Sequence, residues 1–155
     1  SPASVLIEAW PHGKPVLTNR ASPLRFNPAH TGDIAILALS ATHIVGVDIE
    51  ALNRTIDHQA LSQRFFSARE HAEFERVAPA ARNEAFLARW TCKEAVAKAA
   101  GKGLRMPFNR IEVSAEPHRQ PRLLSLADSD ARDWTLHAID AGSVYTATVA
   151  LHRSS

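Results

Sequence analysis

Asp48 and Glu50 stand two residues apart in GVDIE (Gly46–Glu50), and further along Trp90, Glu94 and Lys98 recur at four-residue intervals in RWTCKEAVAKAAGKG (Arg89–Gly103). In an extended strand alternate residues share a face, so Val45, Val47 and Ile49 point one way and Gly46, Asp48 and Glu50 the other. Two carboxylates thus lie beside a glycine that leaves space. In a helix the four-residue spacing stacks Trp90, Glu94 and Lys98 on one stripe. Taken singly, each feature has an ordinary explanation. An exposed Glu–Lys pair at i, i+4 contributes about 0.3 kcal/mol, and an acidic strand face can simply be solvated. Brought together, the three carboxylates repel one another unless a cation sits among them. A hard divalent ion such as Mg²⁺ takes oxygen ligands of this kind, completed by water and substrate phosphates. Lys98, one turn from Glu94, would then neutralise a phosphate on the same metal, with Lys93 and Lys102 as further phosphate-binding cations.

Strands and helices must hold these groups. Ile34–Leu39 and Ile44–Ile49 are β-favouring apolar runs, and the Ser40–His43 stretch between them predicts a hairpin. SARE (Ser67–Glu70) has the form of a capping box and opens a helix through about Val77. Ile56–Phe65 reads as a further helix. Pro79 suits the first turn of a longer helix that ends near Ala100, with Gly101 as its stop. Ile111–Ser114, Trp134–Ile139 and Val144–Leu151 read as strands, the last two joined by a turn at Asp140–Ser143. Before residue 34, prolines at positions 2, 11, 15, 23 and 28 predict a loop-rich lead-in with a short strand at Val5–Ala9. The order predicts an α+β domain, an antiparallel sheet packed against a long helix and shorter helices, with residues 1–33 as lead-in and 34–155 as the domain proper.

Composition narrows the function. With 155 residues, 45% of them hydrophobic, the chain can bury one real core. Its net charge of +2 is far from that of a nucleic-acid-coating surface but suits an anionic ligand or acidic partner. No apolar run reaches the ~20 residues of a membrane span, and SPASVLIEAW has no basic n-region of a signal peptide. The lone Cys92 excludes an internal disulfide and suits a reducing cytoplasm. One cysteine and scattered histidines give no zinc-ligand spacing.

GVDIE followed by WTCKEAVAK (Trp90–Lys98) and GKGL (Gly101–Leu104) resembles the 4′-phosphopantetheinyl transferase superfamily. GKP (Gly13–Pro15) and FNPAHTGD (Phe26–Asp33) upstream resemble its Sfp-type branch. The resemblance implies transfer of the 4′-phosphopantetheine arm of coenzyme A to a serine of an apo acyl or peptidyl carrier protein, releasing 3′,5′-ADP. It implies Asp48, Glu50 and Glu94 as ligands of Mg²⁺ (or Mn²⁺), Glu94 as proton acceptor and Lys98 on the transferring phosphoryl group. His30 and Lys14 would contact coenzyme A phosphates, and Trp90 would pack beneath the site.

Leu61, Phe65 and Phe66, ringed by Arg64, Arg69 and Arg76, would meet an acidic carrier, although the two phenylalanines fit a core equally well. Two departures from the family pattern matter. Ala29 replaces a serine that would contact coenzyme A. Much of the first half of a two-half Sfp-type enzyme is absent before Gly13, so the resemblance implies a pseudo-half that uses its N-terminal half or another subunit. A non-catalytic carrier-binding half-domain and another metal-dependent phosphotransferase remain alternatives.

Overall fold

The computed structural model describes residues 6–9, 15–18 and 23–153. β1 (Ile7–Ala9) pairs with β2 (Pro15–Leu17), and β3 (Arg25–Thr31) pairs antiparallel with β4 (Ile34–Ser40). The expected hairpin between Ile34–Leu39 and Ile44–Ile49 is not formed. β4 turns back on β3 instead, because Gly32 adopts φ +53 at the head of a two-residue loop, the backbone a tight hairpin requires. The Ser40–His43 link has no glycine; Ser40 Oγ accepts the N–H groups of Thr42 and His43 and redirects the chain. The loop-rich reading of residues 1–33 is corrected over β3, much of the remainder lying outside the described residues. Arg25–Thr31 is a strand, and its Pro28 is tolerated because β3 has a ladder partner on one side alone.

β5 (His43–Ala51) pairs with β9 (Tyr145–Arg153), which pairs with β8 (Trp134–Ile139), giving an antiparallel sheet of order β5-β9-β8. β6 (Ile111–Ser114) and β7 (Arg122–Leu126) form a separate hairpin, β7 being a strand the sequence pattern did not announce. Along the chain, α1 (His58–Phe65), α2 (Ala68–Glu75) and α3 (Arg82–Ala99) come between β5 and β6. The capping box is present as read: Ser67 accepts from the Glu70 N–H and Glu70 from the Ser67 N–H. Pro79 begins a 3₁₀ turn that leads into α3. At the other end Gly101, at φ +70, lets its own N–H reach Lys98 O and that of Lys102 reach Ala97 O, closing the helix in a Schellman motif.

α3 lies on the Gly46 face of β5. A Cβ on Gly46 would stand 2.1 Å from Ala95 O and 2.4 Å from Ala99 N, so the space beside the two carboxylates is filled by helix backbone, not left open. Val47 and Ile49 point the other way, as the alternation predicts, into a cluster with Ala29, Ile34 and Ile36 of the β3–β4 hairpin. Ala95, Val96, Ala97 and Ala99 meet Phe108, Ile111, Val113, Leu136 and Ala150 in the main core. The fold is α+β. No helix among the described residues is long and apolar enough to cross a membrane.

Candidate functional site

The candidate site forms where the outer edge of β5 meets the flank of α3. β9 occupies one edge of β5; on the other, Val47 directs its N–H to Asn27 Oδ1 at 2.8 Å and its carbonyl to Lys98 Nζ at 3.1 Å. Both peptide groups are thereby satisfied without another strand, as a buried edge demands. Lys98 Nζ also donates to Asp48 Oδ1 at 2.7 Å. Close approach of the two backbones at Gly46 is what brings this helix side chain within reach of the strand.

Asp48 is buried, and its Oδ2 has no hydrogen-bond partner. Burial pushes its pKa up to about 6 despite the Lys98 ammonium. Glu94, half-buried, is pushed to about 7, by burial first and then by the negative charge of Asp48. Glu50 adds to the repulsion on both but is itself turned toward Arg54, which reaches its two oxygens at 2.9 and 2.8 Å. Among the described residues no three His, Cys, Asp or Glu side chains are gathered closely enough to grip a metal as they stand. The chemistry of the donor set nevertheless fits one. It offers an orphaned buried carboxylate oxygen, a second acid held near neutrality, and a third paired with the exposed Arg54.

The other residues singled out from sequence fall in several places. Lys93 is fully buried among backbone carbonyls and Glu70, so it is not a phosphate-binding cation; Lys102 is exposed. His30 is exposed on the face of β3 opposite buried Asn27 and Ala29, and it has no hydrogen-bond or ion-pair partner among the described residues. Lys14 lies outside the described residues. Trp90 stands among Phe65, Phe86 and Phe108 at centroid separations of 5.4, 5.8 and 5.3 Å, tying α3 to α1. Phe66 is core and Phe65 half-buried under Arg64, whereas Arg64, Arg69 and Arg76 are exposed. Cys92 is buried, its thiol pushed up to about 12 by burial, and is inert. Sequence reasoning missed Asn27 and Arg54. Nothing in the pattern marks Asn27 as an edge cap; Arg54, four residues after Glu50, was visible as a potential partner.

Two acids near neutrality, an ammonium and a strand edge thus meet where β5 approaches α3. The chain's likeness to known proteins gives its family. The family model described as the 4′-phosphopantetheinyl transferase superfamily matches residues 44–150, and the chain belongs to that superfamily. The 4′-phosphopantetheinyl transferase HetI of Nostoc sp. is 34% identical over 124 residues, 79% of this chain and 52% of its own. The 4′-phosphopantetheinyl transferase AcpT of Salmonella typhi is 40% identical over 89 residues, 57% of this chain and 46% of its own. The chain spans about half the length of these curated relatives. Among solved structures, a holo-(acyl-carrier-protein) synthase of Bacillus anthracis in complex with CoA (3′,5′-ADP) superposes with a TM-score of 0.57 at 24% identity. That match covers 74% of this chain and 99% of the other, a likeness of fold.

Proposed function

We propose that this domain transfers the 4′-phosphopantetheine arm of coenzyme A to a serine hydroxyl of an apo acyl or peptidyl carrier protein, with Mg²⁺ or Mn²⁺, in the cytoplasm. The observation that carries the reading is the trio of Asp48, Glu94 and Lys98, held where β5 meets α3 in a chain of this superfamily. In the reaction the serine oxygen forms a bond to the phosphorus bearing the pantetheine. The bond from that phosphorus to the bridging pyrophosphate oxygen breaks, and 3′,5′-ADP departs with the electron pair. Glu94, whose carboxyl lies near neutrality, accepts the serine proton. Two of the three N–H groups of Lys98 are committed to Val47 O and Asp48, which leaves one for a phosphoryl oxygen. Asp48, through its free Oδ2, and Glu94 would hold the metal, joined by Glu50 once it leaves Arg54. The ion, when bound, neutralises pyrophosphate charge. His30 and Lys14 are proposed as contacts to coenzyme A phosphates on their motif positions alone. The exposed Arg64, Arg69 and Arg76 are proposed as the meeting place for an acidic carrier.

Incubation of the chain, alone and joined to the N-terminal half of a full-length relative, with apo carrier protein, coenzyme A and Mg²⁺ tests this by intact-mass spectrometry. The expected product is a carrier heavier by one phosphopantetheine. No modification by either form overturns the transferase reading. The exposed Arg64, Arg69 and Arg76 suit a second reading equally, a carrier-binding half-domain without chemistry. Calorimetry that detects carrier but neither coenzyme A nor Mg²⁺ would favour that alternative.

A further inference from the structure

Lys93 directly precedes Glu94 but lies about 100° round α3 from it, where it is fully buried. Its Nζ donates to the carbonyl oxygens of Phe108, at 2.8 Å, and Ile111, and pairs with Glu70 Oε2 at 2.6 Å. All three ammonium N–H groups are thus consumed inside the protein. Glu70 in turn accepts the Ser67 N–H at 2.8 Å and the Val113 N–H at 2.9 Å. The start of α2, the middle of α3 and the strand β6 therefore converge on one buried ion pair. Arg89, one turn earlier on α3, adds a bond to Glu70 O at 3.3 Å.

We propose that Lys93 and Glu70 are positioning residues that fix the rotation of α3 about its axis, and through it the direction in which Glu94 and Lys98 face β5. The rest of the α3 packing surface explains why such a device is needed. In its C-terminal half, which carries Glu94 and Lys98, Ala95, Ala97 and Ala99 flank Val96 with small side chains that resist separation better than rotation. The larger Phe86, Leu87 and Trp90 lie in the N-terminal half. A turn of about 20° at the outer radius of a helix displaces side-chain atoms by about 2 Å, enough to part Lys98 from Asp48. A buried ion pair contributes little net stability against a hydrophobic pair of equal volume, but it tolerates one arrangement only. The role rests on the transferase reading above only as far as its consequence for catalysis is concerned.

The test compares the charge-free double variant Lys93→Met/Glu70→Leu and the single variant Glu70→Gln with the parent chain. Thermal unfolding, a crystal structure and the transfer kinetics are measured for each. The double variant is expected to unfold within a few degrees of the parent while losing the Lys98–Asp48 contact. Its kcat is expected to fall by about 10²-fold, the scale of an ångström-sized misplacement, with KM for coenzyme A little changed. A purely structural pair would lower the melting temperature and leave kcat of the folded protein intact. A folded double variant that keeps the contact and stays within about twofold of the parent kcat overturns the proposal.

Should the double variant not fold, Glu70→Gln decides. The amide nitrogen cannot accept the Ser67 or Val113 N–H, so about tenfold loss of kcat is expected and an unchanged kcat is contrary. If the parent chain transfers nothing, either alone or joined to the N-terminal half of a relative, the functional reading fails. Positioning is then judged on the Lys98–Asp48 contact alone, in the double variant or, if that does not fold, in Glu70→Gln.

Discussion

Asp48 and Glu94 repel each other where burial desolvates both, and Lys98 opposes the shift of each but donates a hydrogen bond to Asp48. Glu94→Gln removes the proposed proton acceptor without removing volume. Transfer should drop by about 10²–10⁴-fold while the melting temperature is not lowered, measurable by carrier mass and calorimetric scan. A wild-type rate in this variant would remove Glu94 from the chemistry. Arg54 bears on the same site from outside. It is exposed and pairs with Glu50, so if Glu50 serves the proposed metal, Arg54→Ala should tighten Mn²⁺ binding in a titration by about two- to fivefold, the equivalent of one ion pair released. Weaker binding would mean that Arg54 supports the site and does not compete with it. Part of this arrangement was legible at the residue level, because strand alternation puts Asp48 and Glu50 on one strand face and helix periodicity puts Glu94 and Lys98 on one stripe. The meeting of the two surfaces was implied by the family resemblance. The diversion of Glu50 was not legible, because it depends on where the loop after β5 places a guanidinium.

The contact between α3 and β5 is a backbone contact, and Gly46 makes it. Gly46→Ala would drive a methyl group into Ala95 O and Ala99 N, neither of which can rotate away, so the helix must lift. The expected destabilisation is roughly 3 kcal/mol, near the upper end for overpacking, with loss of the Lys98–Asp48 contact. Denaturant unfolding measures it, and a neutral result would show that α3 is free to shift. The helix boundaries were readable because their signals are local: the Ser67–Glu70 box, Pro79 and Gly101 each act on the adjacent turn. Strand pairing was less readable. Ile34–Leu39 is flanked by two candidate turns, and the decision between them rests on the positive φ at Gly32 and on β9, a strand almost a hundred residues away, as the competing partner for β5. Lys93 was misread for a similar reason. Periodicity places it on α3 but cannot disclose that carbonyls from the β6 side and Glu70 await it.

For the molecule as a whole, the site works against the fold that holds it. Asp48 moves from an ordinary 3.8 to about 6 on folding, which corresponds to roughly 3 kcal/mol when fully expressed. Glu94 moves from 4.5 to about 7 and adds a smaller amount, because solvent reaches it. Both pKa values rise on folding, so between about pH 4 and pH 7 the native state holds more protons than the unfolded chain. On account of these two groups, metal-free stability should therefore decline as pH rises through that window, the reverse of an acid held below its usual range. A divalent ion needs the deprotonated carboxylates, so its stabilisation should grow over the same interval, with Mg²⁺ or Mn²⁺ raising the melting temperature more at pH 8 than at pH 5. The double variant Asp48→Asn/Glu94→Gln should flatten both dependences. Thermal scans of parent and variant across pH 4–8, with and without metal, decide it. A metal effect that is absent, or that is the same at every pH and survives in the neutral variant, would place the ion elsewhere than between β5 and α3.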